Sequence, residues 1–111
     1  ATATPTANVL YTDSVVKGWC TLSGATWTIS DDLNVSSITD NGVGDFTINW
    51  ATAFASANYA VVAIEIGGVH LVIEATTTAK TASLVRITVN NDAGAAVDPA
   101  TGVSVIAIGL Q

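Results

Sequence analysis

The sequence is short of charge: of 111 residues, 11% are Asp, Glu, Lys or Arg, against roughly 25% in an ordinary soluble domain. Three Lys+Arg face nine Asp+Glu, a formal net charge of −6, which excludes an electrostatic grip on nucleic acid phosphates or an anionic membrane surface. Cysteine occurs once, as Cys20, so no internal disulfide can form, and Cys20 is expected to pack in the core. Histidine also occurs once, as His70, so a Cys/His zinc set cannot be assembled. The longest uncharged apolar run covers 59–64, far short of the roughly 20 residues a spanning helix needs. No cofactor, nucleic acid or membrane insertion is therefore expected.

Catalytic groups are scarce as well. His70 is the only neutral-pH base, and none of the eight serines sits in a Gly-x-Ser-x-Gly elbow. Glu65 and Glu74 would make a glycosidase pair only if they approached each other. On a simple hairpin their offset is about 13 Å or more, at ~3.3 Å per residue, too far for either carboxylate mechanism. Asp31-Asp32 are neighbours in a turn and point apart. No phosphate loop, paired cysteines or metal triad is present. The expectation is a protein that is not an enzyme.

What the chain does have is β-branched runs separated by Gly, Asn and Asp clusters at intervals of about 8–12 residues, the spacing of an all-β sandwich or barrel. Strands are predicted over 15–22, 26–30, 33–39, 45–51, 59–66, 69–76, 83–90 and 103–110. Eight short strands suit one compact antiparallel β-sandwich over 15–111, preceded by an arm or linker over 1–14. A start at Ala1, with neither methionine nor a basic-then-apolar leader, is expected of a piece of a longer protein.

Alternation assigns faces. Val85, Ile87 and Val89 point inward with Arg86 and Thr88 outward, and Phe46, Ile48 and Trp50 share a core face. Gly67-Gly68 between two apolar runs predicts a tight hairpin. In that register Glu65 faces His70. Val62, Ile64, Ile66, Val69, Leu71 and Ile73 would then face the core, leaving Glu65, His70 and Glu74 as surface contacts.

The segment 103–110 is apolar on both faces, with Val103 and Val105 on one and Ile106 and Ile108 on the other. Such a strand wants cover on both sides. A subunit interface through Val103, Val105, Ile106, Ile108 and Trp19 is expected, with a central strand under a loop as the alternative. Trp19 shares a face with Lys17 and Thr21 and is the aromatic expected outside the core. The loop Asp40-Asn41-Gly42-Val43-Gly44-Asp45 superficially resembles a calcium loop but lacks the alternating carboxylates and terminal Glu. It is expected to be a turn.

The stretches Val16-Lys17-Gly18-Trp19-Cys20, then 33–53 with its core Asn34-Val35-Ser36-Ser37-Ile38-Thr39-Asp40-Asn41-Gly42-Val43-Gly44-Asp45, and then Ala57-Asn58-Tyr59 resemble a segment found in tail fibre and related virion proteins of tailed bacteriophages. That family reads V-K-A-W, then N-V-S-S-I-T-D-N-G-x-G-D-[FY]-T-V-N-F, then A-N-Y. The likeness covers most of 16–110, with Gly18 in place of Ala among its departures. It implies a non-enzymatic β module near the distal end of a homotrimeric fibre or similar virion appendage. The implied partners are other virion proteins and a bacterial surface glycan or protein. The pattern carries over no receptor-contact residue. A carbohydrate-binding module of a secreted hydrolase and a purely structural decoration or tail protein are the alternatives.

Overall fold

The computed structural model describes residues 4, 6–8, 11, 14–74 and 79–111. The alternating β-branched runs fold as eight strands: β1 (Val16–Ser23), β2 (Thr28–Leu33), β3 (Val35–Gly42), β4 (Asp45–Trp50), β5 (Ala60–Ile66), β6 (Leu71–Glu74), β7 (Leu84–Asn90) and β8 (Gly102–Ile108). They build two four-stranded sheets, in the orders β2-β1-β8-β5 and β3-β4-β7-β6, with every neighbouring pair antiparallel. The all-β, two-sheet expectation holds, and each predicted strand is present within a few residues of its expected bounds. The expected arm falls largely outside the described residues, as do positions 75–76 of the sixth predicted strand.

The core lies where the central strands of the two sheets face each other. Cys20 and Leu22 on β1 and Val103, Val105 and Ala107 on β8 meet Phe46 and Ile48 on β4 and Val85, Ile87 and Val89 on β7. All are buried. Each set sits at alternate positions, as a pleated strand demands. Trp27, held at a left-handed φ of 56°, lays its ring on Phe46 with centroids 4.4 Å apart. At the opposite end of the sandwich Phe54 stacks on Tyr59 at 3.9 Å, and the Trp50 indole Nε1 donates to the Tyr59 hydroxyl at 3.0 Å.

The predicted hairpin does not form. Ile66 pairs with Gly102 on β8 and Leu71 pairs with Asn90 on β7, so 67–70 carries the chain from one sheet to the other. Positive φ at Gly67 (70°) suits a sheet-to-sheet crossing as well as a two-residue turn. The inward phase of β5 is also the reverse of the one expected. Val61 and Ala63 pack against the core, whereas Val62 and Ile64 are 65% and 62% exposed, and Val69, Leu71 and Ile73 are exposed too. An acidic residue can occupy the inward phase because Glu65 finds its hydrogen-bond donors inside the protein, as described below.

The loop of residues 40–45 closes the β3–β4 hairpin as a turn. Its aspartates have partners that sequence reading did not foresee. Asp40 Oδ1 accepts the Gly42 amide at 3.0 Å, and Asp45 is gripped by both Nε and Nη2 of Arg86, at 2.9 and 2.6 Å. A Cβ on Gly44, at φ 60°, would lie 2.3 Å from the Val97 carbonyl oxygen, so only glycine fits beneath the 91–101 loop.

Gly18 is the second position where a side chain has no room: a Cβ there would lie 2.6 Å from Cζ3 of Trp50. Gly18→Ala is expected to destabilise the fold by about 1–3 kcal/mol through overpacking, read as a lowered melting temperature. Combining it with Trp50→Phe, which shortens the opposing ring, should cost less than the sum of the two single changes. Strict additivity would show that the two residues do not press on each other.

Candidate functional site: the outer face of one sheet

Two sandwich faces point away from the core, and they differ in chemistry. On the β3-β4-β7-β6 sheet the outward side chains of β3 and β4, with Arg86 of β7, are polar and bonded to one another, while Leu84 of β7 and the exposed Leu71 and Ile73 of β6 add apolar positions toward one edge. Asn49 Nδ2 donates to Ser37 Oγ and Thr39 Oγ1, Asn41 Nδ2 donates to Thr47 Oγ1, and Arg86 holds Asp45. Such a face is at home in water.

The β2-β1-β8-β5 sheet presents the opposite. Strand pairing aligns Leu33 of β2, Trp19 of β1, Ile106 of β8 and Val62 of β5 in one row crossing the whole sheet. With strands about 4.8 Å apart the row runs roughly 14 Å. One neighbouring row is Asp31, Thr21, Ser104 and Ile64; the other holds Val16, Ile108 and Ala60. Leu33, Val62, Ile64, Ile106 and Ile108 are all exposed, Ile106 at 45%. Trp19 is half-buried among them. A shallow depression of about 360 Å³ lies over β1 and β8 between Val16, Trp19, Thr21, Ser104 and Ile106. Single exposed apolar residues are ordinary on a protein surface, whereas a contiguous row of them makes this face the candidate site.

Of the residues expected at a subunit interface, the structure brings Trp19, Ile106 and Ile108 together on this face. Val103 and Val105 are corrected: they point into the protomer's own core, 0% and 1% exposed, because β8 is a central strand facing β4 and β7. Leu33, Val62 and Ile64 lie on this face as well, where sequence reading had not put them. The signal for β5 was available in 60–66, where both faces are apolar just as in 103–110, but the larger residues pointed to the wrong face as core.

The expected surface trio separates. The Glu74 side chain lies outside the described set, and its backbone, on β6, pairs with Ile87 of β7. Glu65 is not a surface group; its side chain is 1% exposed. Its carboxylate accepts the His70 amide at 2.8 Å, the His70 ring Nδ1 at 2.9 Å and the Ala100 amide at 2.7 Å. One carboxylate thus ties the 67–70 crossing and the 91–101 loop to β5. Burial acts to raise the Glu65 pKa, but the Ala100 and His70 amides and the His70 ring outweigh it and hold the carboxyl below its ordinary value. Asp98 extends the same tie, accepting the Gly44 amide at 3.0 Å. Among the described residues no group of three or more His, Cys, Asp or Glu side chains is arranged to hold a metal.

The aromatic rings are mostly spent on packing. Trp27, Trp50, Phe46, Phe54 and Tyr59 are buried, which leaves Trp19 and Tyr11 as the partly exposed rings among the described residues. Comparison of the chain with protein-family models, curated proteins and solved structures returns no match.

The lowered pKa of Glu65 makes the loop end acid-sensitive. Its ionised form contributes stability that is present above the ordinary glutamate range and is lost as pH falls below that range. Glu65→Gln keeps the size but leaves a backbone amide without a good acceptor, so it should cost about 1–3 kcal/mol at pH 7. The difference from the parent should shrink as both are acidified, in denaturant melts recorded across pH 2–7. A constant difference across that range would mean that the Glu65 charge does not hold these loops.

Proposed function

We propose that this chain is a non-enzymatic bacteriophage virion module, at or near the distal end of a tail fibre or a similar surface appendage, that assembles as a homotrimer and serves attachment to the host surface. One structural observation carries the assembly part of this reading: the apolar row Leu33–Trp19–Ile106–Val62 on the outer face of a four-stranded sheet. The phage identity, the threefold stoichiometry and the host-attachment role rest on the likeness of Val16–Cys20, 33–53 and 57–59 to tail fibre segments.

The physical case is a difference between faces. A monomer in water gains nothing from lining one sheet with Ile, Val, Leu and Trp while building a hydrogen-bonded polar lattice on the other. Association converts the cost into stabilisation, because covering the 36–65% of these Ile and Val residues still exposed contributes about half of the roughly 1.5–3 kcal/mol of a full burial each. A carbohydrate-binding module would instead present a platform of stacking rings, and here most rings are interior.

Native mass measurement at micromolar concentration tests the reading, with a trimer as the expected result. Ile106→Asp places a carboxylate in the middle of the row and should weaken association more than about tenfold, because each subunit would bury an unpaired charge. Ala95→Asp adds the same charge on the exposed 91–101 loop and should leave the assembly intact. A parent chain that stays monomeric, or an Ile106→Asp chain that assembles as the parent does, would remove the basis for the interface.

A further inference from the structure

Of the seven asparagines in the chain, only Asn41 is followed by glycine; the others precede Val, Trp, Tyr, Asn or Asp. An asparagine carboxamide carbon lies within ring-closing reach of the backbone nitrogen of the next residue. A side chain on that residue crowds the closure, whereas glycine carries none, and the two reacting groups already belong to one dipeptide. Asn41 and Gly42 end β3, and both are exposed. Gly42 has a φ of 125°, with no atom of the described residues within 4 Å of where a Cβ would stand. Its amide donates to Asp40 Oδ1 at 3.0 Å, which sets a carboxylate on the proton this nitrogen must lose before it can attack. On the other partner, Asn41 Nδ2 donates to Thr47 Oγ1 at 2.8 Å and to Asp45 Oδ1 at 3.3 Å. Those two bonds restrain the carboxamide against β4. One neighbour therefore prepares the nucleophile while two others hold back the electrophile.

We propose that Asn41-Gly42 is a site of spontaneous covalent modification, a deamidation in which Asp40 acts as the base. The Gly42 nitrogen bonds to Asn41 Cγ as its proton passes to the Asp40 carboxylate. The Cγ–Nδ2 bond then breaks, and the nitrogen takes up that proton and leaves as ammonia. Water opens the resulting cyclic imide at one carbonyl or the other, leaving aspartate or isoaspartate at position 41. One water is consumed and one ammonia released, and no oxidant or reductant is needed. Either product puts a carboxylate where a hydrogen-bond donor stood and makes the chain one unit more negative than its present −6. The new charge faces Asp45, which Arg86 already holds, and like charges brought close on a sheet oppose each other. The modification thus loosens the loop end of β3 and β4. It stands apart from the assembly reading, because these strands belong to the sheet that lacks the apolar row.

The test incubates the full chain warm at neutral pH in oxygen-labelled water, then digests it and locates the label by tandem mass spectrometry. Label should enter position 41 at least about tenfold faster than any other asparagine position, since only there does no β-carbon crowd the attacking nitrogen. Asp40→Ala should slow the reaction about tenfold, less than the ~10²–10⁴ that a positioned base gives an enzyme, because a backbone amide is a very weak acid. Thr47→Val should speed it by about threefold to tenfold, the equivalent of one ordinary hydrogen bond released. Both substitutions lie outside the core, and melting curves of the two variants verify that they fold. In urea, where none of these hydrogen bonds persists, the parent and both variants should converge on one rate. Label entering position 41 no faster than elsewhere, an Asp40→Ala rate that does not fall, or a Thr47→Val rate that does not rise overturns the proposal. Differences among the three chains that are as large in urea as in the folded protein overturn it as well, because they would not come from the folded loop.

Discussion

Everything in this molecule depends on the contact between two pairs of central strands, β1 and β8 on one side and β4 and β7 on the other. Their inward residues, Cys20, Leu22, Val103, Val105 and Ala107 against Phe46, Ile48, Val85, Ile87 and Val89, are aliphatic, aromatic or small and carry no charge. This is the packing that a strand period of two produces when alternate positions are filled in this way. At Gly18 the fit between the sheets tolerates no extra atom. Gly18 lies beneath the Trp50 ring, and the same ring reaches Tyr59 through its indole N–H. A well-filled interior of this kind transmits the choice made at one strand to its neighbours.

The few charges serve the same architecture. Asp31, Asp32, Asp40, Asp45, Glu65 and Asp98, six of the nine acidic residues, accept hydrogen bonds from backbone amides or from Arg86. Most of them sit where a strand ends and peptide N–H groups lose their ladder partners, and a carboxylate is the strongest acceptor for such a donor. The negative balance is therefore largely a by-product of stapling loops.

The contrast between the outer faces of the two sheets is the structural ground of the assembly proposed above. Trp19, Ile106 and Ile108 occupy the outward phase of strands whose inward phase is already committed to the core, and pairing brings Leu33 and Val62 alongside them. No segment of the chain contributes more than two or three of these residues, so the patch exists only because β2, β1, β8 and β5 lie side by side. The opposite sheet, with its amide and hydroxyl lattice over β3 and β4, has no apolar row crossing all four strands.

Much of this was legible in the residues themselves. The turn clusters and β-branched runs located all eight strands, and simple alternation assigned Phe46, Ile48, Trp50, Val85, Ile87 and Val89 to the core, because one face of each of those strands is polar and the other is not. The doubly apolar strand 103–110 announced that its second face needed cover. Tertiary structure decided the cases in which local pattern is degenerate. In 60–66 both faces are apolar, and only membership of the β8 sheet, together with the amides waiting for the Glu65 carboxylate, turned Val61 and Ala63 inward and Val62 and Ile64 outward. Gly67-Gly68 permits a hairpin and a crossing equally, and the partners available on β8 and β7 chose the crossing. Period and turn chemistry are local and can be read along a chain. Which sheet a strand joins, which of two apolar faces it buries and which residues become neighbours across four strands are settled by long-range pairing, which no stretch of sequence contains.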